Sequence, residues 1–161
     1  MKGDKKIIDI LNGLLAGELT AIDQYLIHGE IYADMGFTQL AKKALHESDH
    51  ERAHAQLLIQ RILFLEGKPN VTKRNAITAG NNVTEMLKAD LALEYQVVSE
   101  LKKAIAACEK TQDYVSRDLL TTQLEETEMD HARWLEQQIR LIDLVGLHNY
   151  LQSQMQPDVT N

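Results

Sequence analysis

Apolar side chains recur at steps of three and four from Lys5 to about Tyr32, at Ile7, Ile8, Leu11, Leu14, Leu15, Ile22, Leu26 and Ile27, the period of a helix with one buried stripe. Met35-Gly36-Phe37 interrupts the run, Thr38 is placed to cap a second helix, and the same period resumes as far as Leu65 before Glu66-Gly67-Lys68-Pro69 ends it. Two long helices with so short a break predict an antiparallel hairpin. Residues 67–82 carry Pro69, Asn70, Gly80 and further asparagines with no sustained period. A link of about 16 residues is far longer than a turn between neighbouring helix ends, so it predicts a segment that crosses the length of the hairpin. A third helix is expected from about Val83 to Glu109 and a fourth from Gln112 or Asp113 to Val145, with Gly146 as its C-cap. Leu147 to Met155 suits a short fifth helix. The pattern therefore predicts an all-α four-helix bundle with a long crossover between helices two and three and a short C-terminal fifth helix. It forms one domain over residues 1–156, followed by a flexible tail at 157–161.

Composition agrees with long helices, since only 2 of 161 residues are proline and 44% are hydrophobic. Net charge changes the picture more. A balance of −7 works against nucleic-acid binding and draws in cations. The single cysteine, Cys108, allows neither an intrachain disulfide framework nor a cysteine-based zinc or iron–sulfur site. It also suggests a reducing compartment, and the cytoplasm is the expected location. The apolar stretch after Lys6 is interrupted by Asp9 and Asn12, so neither a secretion signal nor a membrane span is expected there.

Two motifs carry candidate chemistry. Glu51-Arg52-Ala53-His54 and Glu128-Met129-Asp130-His131 both read Glu-x-x-His, a spacing of about 300 degrees on an ideal helix that turns both side chains toward one pocket. One such pair in an acidic helical chain is commonplace and reads equally as a solvated Glu beside an ordinary helix-face His. Glu18 and Glu94 change that, because each sits among apolar periodic positions in mid-helix, and an ionised carboxylate turned into a bundle core is costly unless it is paired or binds a metal. Glu, Glu-x-x-His, Glu and Glu-x-x-His on four helices is the general ligand pattern of ferritin-like dimetal carboxylate bundles. Glu51 and Glu128 are expected as bridges, Glu18 and Glu94 as more terminal ligands, with His54 and His131 completing two metal ions. Such oxygen and imidazole donors suit iron, manganese or zinc alike.

Tyr25 lies seven residues after Glu18 on about the same face, where its hydroxyl could bond a site carboxylate or donate an electron, the bland reading being core packing. Trp134 reads as a core or interface residue. His46, His50 and His54 recur every four residues beside Glu47, forming either a relay into the centre or an ordinary solvated edge.

The chain resembles bacterioferritins over nearly its whole length. The motifs that carry the resemblance are Met1-Lys2-Gly3-Asp4, Glu18-Leu19-Thr20-Ala21-Ile22-Asp23-Gln24-Tyr25, Arg61-Ile62-Leu63-Phe64-Leu65-Glu66-Gly67, Asp90-Leu91-Ala92-Leu93-Glu94, Asp113-Tyr114-Val115-Ser116-Arg117-Asp118 and Asn149-Tyr150-Leu151-Gln152. It implies a 24-subunit shell that oxidises ferrous iron with oxygen or peroxide at two iron ions per subunit and stores ferric mineral. A second bacterioferritin subunit and an electron-donating ferredoxin are implied as possible partners. Two departures stand out. Arg52 occupies the position where haem-binding members carry the axial methionine, and a guanidinium cannot replace a thioether ligand, so no haem is expected in a homomeric shell. The segment from Asp113 to Glu128 is also one residue longer than is usual, which predicts a bulged turn around Gln123 to Thr127 that restores the direction of Glu128 and His131. Glu125 and Glu126 stay open as alternative ligands.

Three functional readings remain open: a storage ferroxidase, a haem-free dimetal oxidase or peroxidase that stores little, and one subunit type of a mixed shell. A rubrerythrin-like protein is disfavoured by the lack of Cys-x-x-Cys pairs.

Overall fold

The computed structural model describes residues 2–155. Four long rods form the bundle. α1 (Lys5–Asp34) and α2 (Thr38–Phe64) make the first hairpin, and α3 (Val83–Lys110) begins the second. The fourth rod consists of α4 (Tyr114–Glu126), a π-helical turn (Thr127–Ala132) and α5 (Arg133–Val145), and α6 (Leu147–Gln154) is the short C-terminal helix. The expected tail at 157–161 lies outside the described residues.

Local chemistry explains the boundaries. The Asp4 carboxylate accepts from the Lys6 amide at 2.7 Å and starts α1. Gly36, at φ +83, turns the chain out of it. Thr38 is the first residue of α2 rather than its cap, the cap position being Phe37. Asn82 caps α3 through the Glu85 amide at 3.0 Å, and Gly146, at φ +81, ends α5.

Residues 65–82 run along α1 as a strap. The Asn70 amide donates to Asn12 Oδ1 at 2.7 Å, the Asn75 amide to Thr20 Oγ1 at 2.7 Å, and the Thr78 amide to Gln24 Oε1 at 3.2 Å. At 1.5 Å per residue these acceptors span about 18 Å of helix, so the strap carries the chain from one end of the bundle toward the other.

The interior holds two apolar clusters. One gathers Ile7, Leu11, Leu58, Ile62, Leu101 and Leu120, the other Tyr32, Leu40, Met86, Leu87, Leu135 and Tyr150. Between them lies a polar layer. α6 is attached by Tyr150, which is buried and donates its hydroxyl to Gln138 Oε1 at 3.0 Å. Among the described residues, no helix is long and apolar enough to cross a membrane.

Candidate metal centre

Glu18 of α1, Glu51 and His54 of α2, Glu94 of α3 and His131 of the π turn converge in the polar layer, none more than 3% exposed. Each rod thus turns at least one polar side chain into the interior, and α2 turns two. Glu51 joins the set with both oxygens: Oε2 lies 3.0 Å from His54 Nδ1 and Oε1 lies 3.0 Å from His131 Nδ1. His54 Nδ1 is also 3.9 Å from Glu18 Oε2, and His131 Nδ1 is 3.7 Å from Glu94 Oε1. Two triads result, Glu18–Glu51–His54 and Glu51–Glu94–His131, each with ligand atoms within 4.8 Å of one another. They share Glu51, the geometry of a carboxylate between two cations.

Glu128 does not enter this cluster. Its Oε1 pairs with Lys102 Nζ at 2.6 Å; its side chain is 41% exposed, as is that of Glu126, so the partners and not the exposure tell the two apart. The residue that arrives instead is Glu126, whose Oε2 lies 2.7 Å from His54 Nε2. The π turn is the reason. A helix closed by i→i+5 bonds turns less per residue than an α-helix, so a separation of three falls well short of a full turn, whereas a separation of five only slightly overshoots one. His131 therefore shares its side of the rod with Glu126 rather than with Glu128. The wide turn spans Thr127–Ala132, just beyond the stretch where the extra residue pointed to a bulge. Glu125 and Glu126 stood as alternatives to Glu128; the Glu-x-x-His pattern presumes α geometry, and across this π turn it is Glu126 that reaches His54 while Glu128 pairs with Lys102.

Tyr25 donates its hydroxyl to Glu94 Oε1, a buried contact between α1 and α3. Glu47, which spacing alone left beside the histidine edge, is buried, with Oε2 at 2.9 Å from His131 Nε2 and Oε1 at 2.5 Å from Lys43 Nζ. His50 bridges inward and outward: its Nδ1 is 2.9 Å from His131 Nε2 and its Nε2 is 3.9 Å from Glu126 Oε2. His46 stacks on His50 with ring centroids 6.2 Å apart. The histidines thus form a continuous file from the edge to the centre. Trp134 sits under Lys43 Nζ, 5.4 Å from its ring centroid.

The electrostatics are those of too many carboxylates for too few cations. Burial, followed by the charges of Glu51 and Glu94, raises Glu18 well above the usual carboxylate range. Burial and the Glu51 charge also raise Glu94 against the opposing pull of His131 and Tyr25. Burial works the other way on His131, but contacts with Glu47, Glu51 and Glu94 outweigh it and raise its pKa strongly. Burial likewise opposes the low pKa of Glu51, which His131 and His54 nevertheless hold well below the usual value. Glu18 Oε2 has no hydrogen-bond partner among the described residues, and His131 Nδ1 faces Glu51 without the alignment of a hydrogen bond. Unsatisfied oxygen and nitrogen donors converging on two shared positions fit a pair of divalent cations of the iron, manganese or zinc type.

The comparisons with known proteins agree with this geometry. The profile of the ferritin-like domain matches residues 8–145. The chain is 50% identical over 155 residues to the bacterial ferritin of Neisseria meningitidis serogroup A, covering 96% of this chain and 100% of that protein. It is 52% identical over 155 residues to the bacterial ferritin of Synechocystis sp., covering 96% and 99%. It is 41% identical over 157 residues to the bacterioferritin of Brucella melitensis, covering 98% and 97%. A four-rod bundle with two carboxylate–histidine triads, matched along nearly its whole length by these proteins, belongs to the ferritin family, among the bacterial ferritins and bacterioferritins.

Proposed function

We propose that this chain oxidises ferrous iron at the Glu51-centred pair of triads and stores the ferric product as mineral within a 24-subunit shell. The observation that carries the reading is the shared Glu51 with its two buried triads, because paired ferrous ions held side by side can each give one electron to a two-electron acceptor. With peroxide as acceptor, two ferrous ions and two protons yield two ferric ions and two waters. The protons that Glu18 and the histidines release as the substrate ions bind supply part of that balance. Glu51 bridges, Glu18 and His54 hold one ion, and Glu94 and His131 hold the other. In this geometry Glu126 closes the His54 side, in the place the sequence pattern assigned to Glu128. Tyr25 orients the Glu94 carboxylate through its hydroxyl. Ferric iron leaving the centre hydrolyses in the shell interior, where the acidic balance of the chain concentrates incoming cations.

Arg52 stands exposed on α2 and offers no thioether, so the homomeric shell is read as haem-free. The chain is read as a cytoplasmic protein. The test is anaerobic ferrous loading of the purified homomeric protein, then oxidant addition, with particle size and iron per particle measured together. A stable cage that retains far more than two irons per chain supports storage. A particle that oxidises iron yet stays small or empty reduces the reading to a dimetal oxidase.

A further inference from the structure

His54 and His131 both face the centre with Nδ1 and turn Nε2 away from it, toward Glu126 and His50 respectively. A neutral imidazole has one bare nitrogen and one that carries a proton, and the bare one holds a metal. The outer contacts therefore decide whether the centre has its two nitrogen ligands.

For His54 the outer contact is a carboxylate, with Nε2 at 2.7 Å from Glu126 Oε2. A carboxylate only accepts, so the proton sits on Nε2 and Nδ1 is left for the metal. For His131 the outer contact is a second imidazole, with His50 Nδ1 at 2.9 Å from Nε2, and two arrangements of the proton satisfy that bond. If His50 donates, His131 must keep its own proton on Nδ1, where it blocks the metal. If His50 accepts, its proton lies on its own Nε2 and His131 Nδ1 is free. The far end of the His50 ring makes the choice, because its Nε2 lies 3.9 Å from Glu126 Oε2, the same oxygen that meets His54. That distance is too long for a direct hydrogen bond, yet a negative oxygen facing Nε2 favours the proton there. Glu47 Oε2 lies 2.9 Å from His131 Nε2 without hydrogen-bond alignment and adds a second negative oxygen beside the same proton.

We propose that Glu126 and His50 are positioning residues that keep the protons of His54 and His131 on Nε2 and so present both Nδ1 atoms to the metals, one oxygen of Glu126 directing both rings. The outer nitrogens do not serve a third cation, since each ring would then have to give up its last proton and hold two ions at once. The assignment rests on the dimetal reading of the two triads, and its test separates the two.

Cobalt(II) titrated into the purified protein without oxidant reports the centre through its visible absorption and needs no iron chemistry. His50→Phe keeps a ring and removes both nitrogens, whereas His50→Asn loses the ring and keeps an acceptor oxygen about where Nδ1 stood. The His50 side chain is 32% exposed, so the fold is expected to tolerate both changes. His50→Phe is expected to weaken cobalt binding about 10–100-fold, the cost of losing the outer partner of a metal-binding histidine. His50→Asn is expected to recover most of that loss, with two ions per chain bound at saturation in all three proteins. Equal affinity in wild type and His50→Phe overturns the proposal. The reverse order, with Phe close to wild type and Asn weak, overturns it as well, since it marks a packing role for the ring against His46. A third cobalt ion in the wild type that both variants lose does the same, because His50 would then be a ligand. In a Glu126→Gln background the His50→Phe loss is expected to shrink; an undiminished loss breaks the link between the two residues. Wild-type protein that binds two cobalt ions but oxidises no iron defeats the functional reading and leaves this assignment standing.

Discussion

Two polar clusters tie α2 to the fourth rod, and they are built on opposite plans. At one end, Arg61 donates to Ser116 Oγ through Nε and to Asp113 Oδ1 through Nη2, both at 2.7 Å, while Ser116 Oγ donates to Asp113 Oδ2 at 2.6 Å. One cation meets one anion, and the hydroxyl completes the set. At the centre, Glu18, Glu47, Glu51, Glu94 and Glu126 surround His54 and His131, and Glu18 Oε2 is left without a partner. The first cluster is closed and can be read as structure. The second is open, and its excess negative charge makes sense only with cations present, since burying unpaired carboxylates otherwise costs stability. Burial alone therefore does not distinguish a functional site from a structural one; the balance of donors, acceptors and charge does.

The sharpest way to break this comparison is Glu51→Gln. Glu51 belongs to both triads, so its loss is expected to slow paired ferrous oxidation by well over the roughly 10–100-fold that losing a mere supporting partner costs. Stopped-flow oxidation of ferrous iron at two ions per chain measures it, and a variant with wild-type kinetics would remove Glu51 from the centre. The metal-free variant is expected to remain folded, because the loss of the Glu51 contacts to His54 and His131 is offset by relief of its repulsion on Glu18 and Glu94.

Arg61→Met should do the reverse. Removing the cation leaves Asp113 facing a bundle end with only Ser116, which is expected to destabilise the fold by about 3 kcal/mol, the lower part of the range for breaking a buried pair because Asp113 is partly exposed. Denaturant unfolding checks this, and the oxidation rate per folded chain should stay as in the wild type. A large kinetic defect would mean that the closed cluster also serves the site.

The third comparison lies within the fourth rod. Glu126→Ala is expected to slow oxidation by about 10–100-fold, because the carboxylate at 2.7 Å from His54 is lost. Glu128→Ala removes an exposed pair with Lys102 and should change stability by less than about 1 kcal/mol and the rate by little. The opposite order of effects would show that the π turn rearranges when iron binds.

How much of this was legible in the sequence depends on the physical quantity each signal measures. Apolar periodicity reports the buried stripe of a helix, so α1, α2, α3 and the long strap could be read from residues such as Leu11, Leu58 and Leu101 and from the unpatterned stretch around Asn70. The same logic exposed Glu18 and Glu94 as carboxylates in apolar positions. Periodicity cannot see a change of helical pitch. The count of residues before His131 revealed that something had to give, but only the hydrogen-bond pattern of Thr127–Ala132 decides which glutamate faces inward. Glu47 escaped for a different reason: among His46, Ser48 and Asp49 it reads as a solvated edge, and its burial depends on Lys43 and His131 meeting it in three dimensions.

The smallest expected effect, and the one that sets the two clusters most directly against each other, is the pH dependence of the metal-free protein. Burial beside Glu51 and Glu94 raises Glu18, so between the ordinary carboxylate pKa and the raised value the folded chain holds a proton that the unfolded chain has lost. Raising the pH through that window destabilises the fold, and lowering it restores the stability. Asp113 behaves oppositely. Partial burial opposes ionisation, but Ser116 and Arg61 lower its pKa, so its contribution is present above the ordinary carboxylate pKa and disappears as the pH falls through the folded value. Thermal unfolding of the metal-free wild type should therefore weaken toward higher pH because of Glu18 and Glu94 at the centre, and toward strong acid because of Asp113 in the closed cluster together with Glu47 and Glu51, which their histidine contacts hold low against burial. Glu18→Gln should shrink the first slope without touching the Asp113 share of the second, and Asp113→Asn should remove that share while leaving the first slope in place. Loading with zinc, which displaces protons without redox chemistry, should also flatten the first slope and release protons to the solvent, measurable with a pH indicator. If zinc leaves that slope in place, the excess charge of the centre is not balanced by metal, and the distinction between the open and the closed cluster fails.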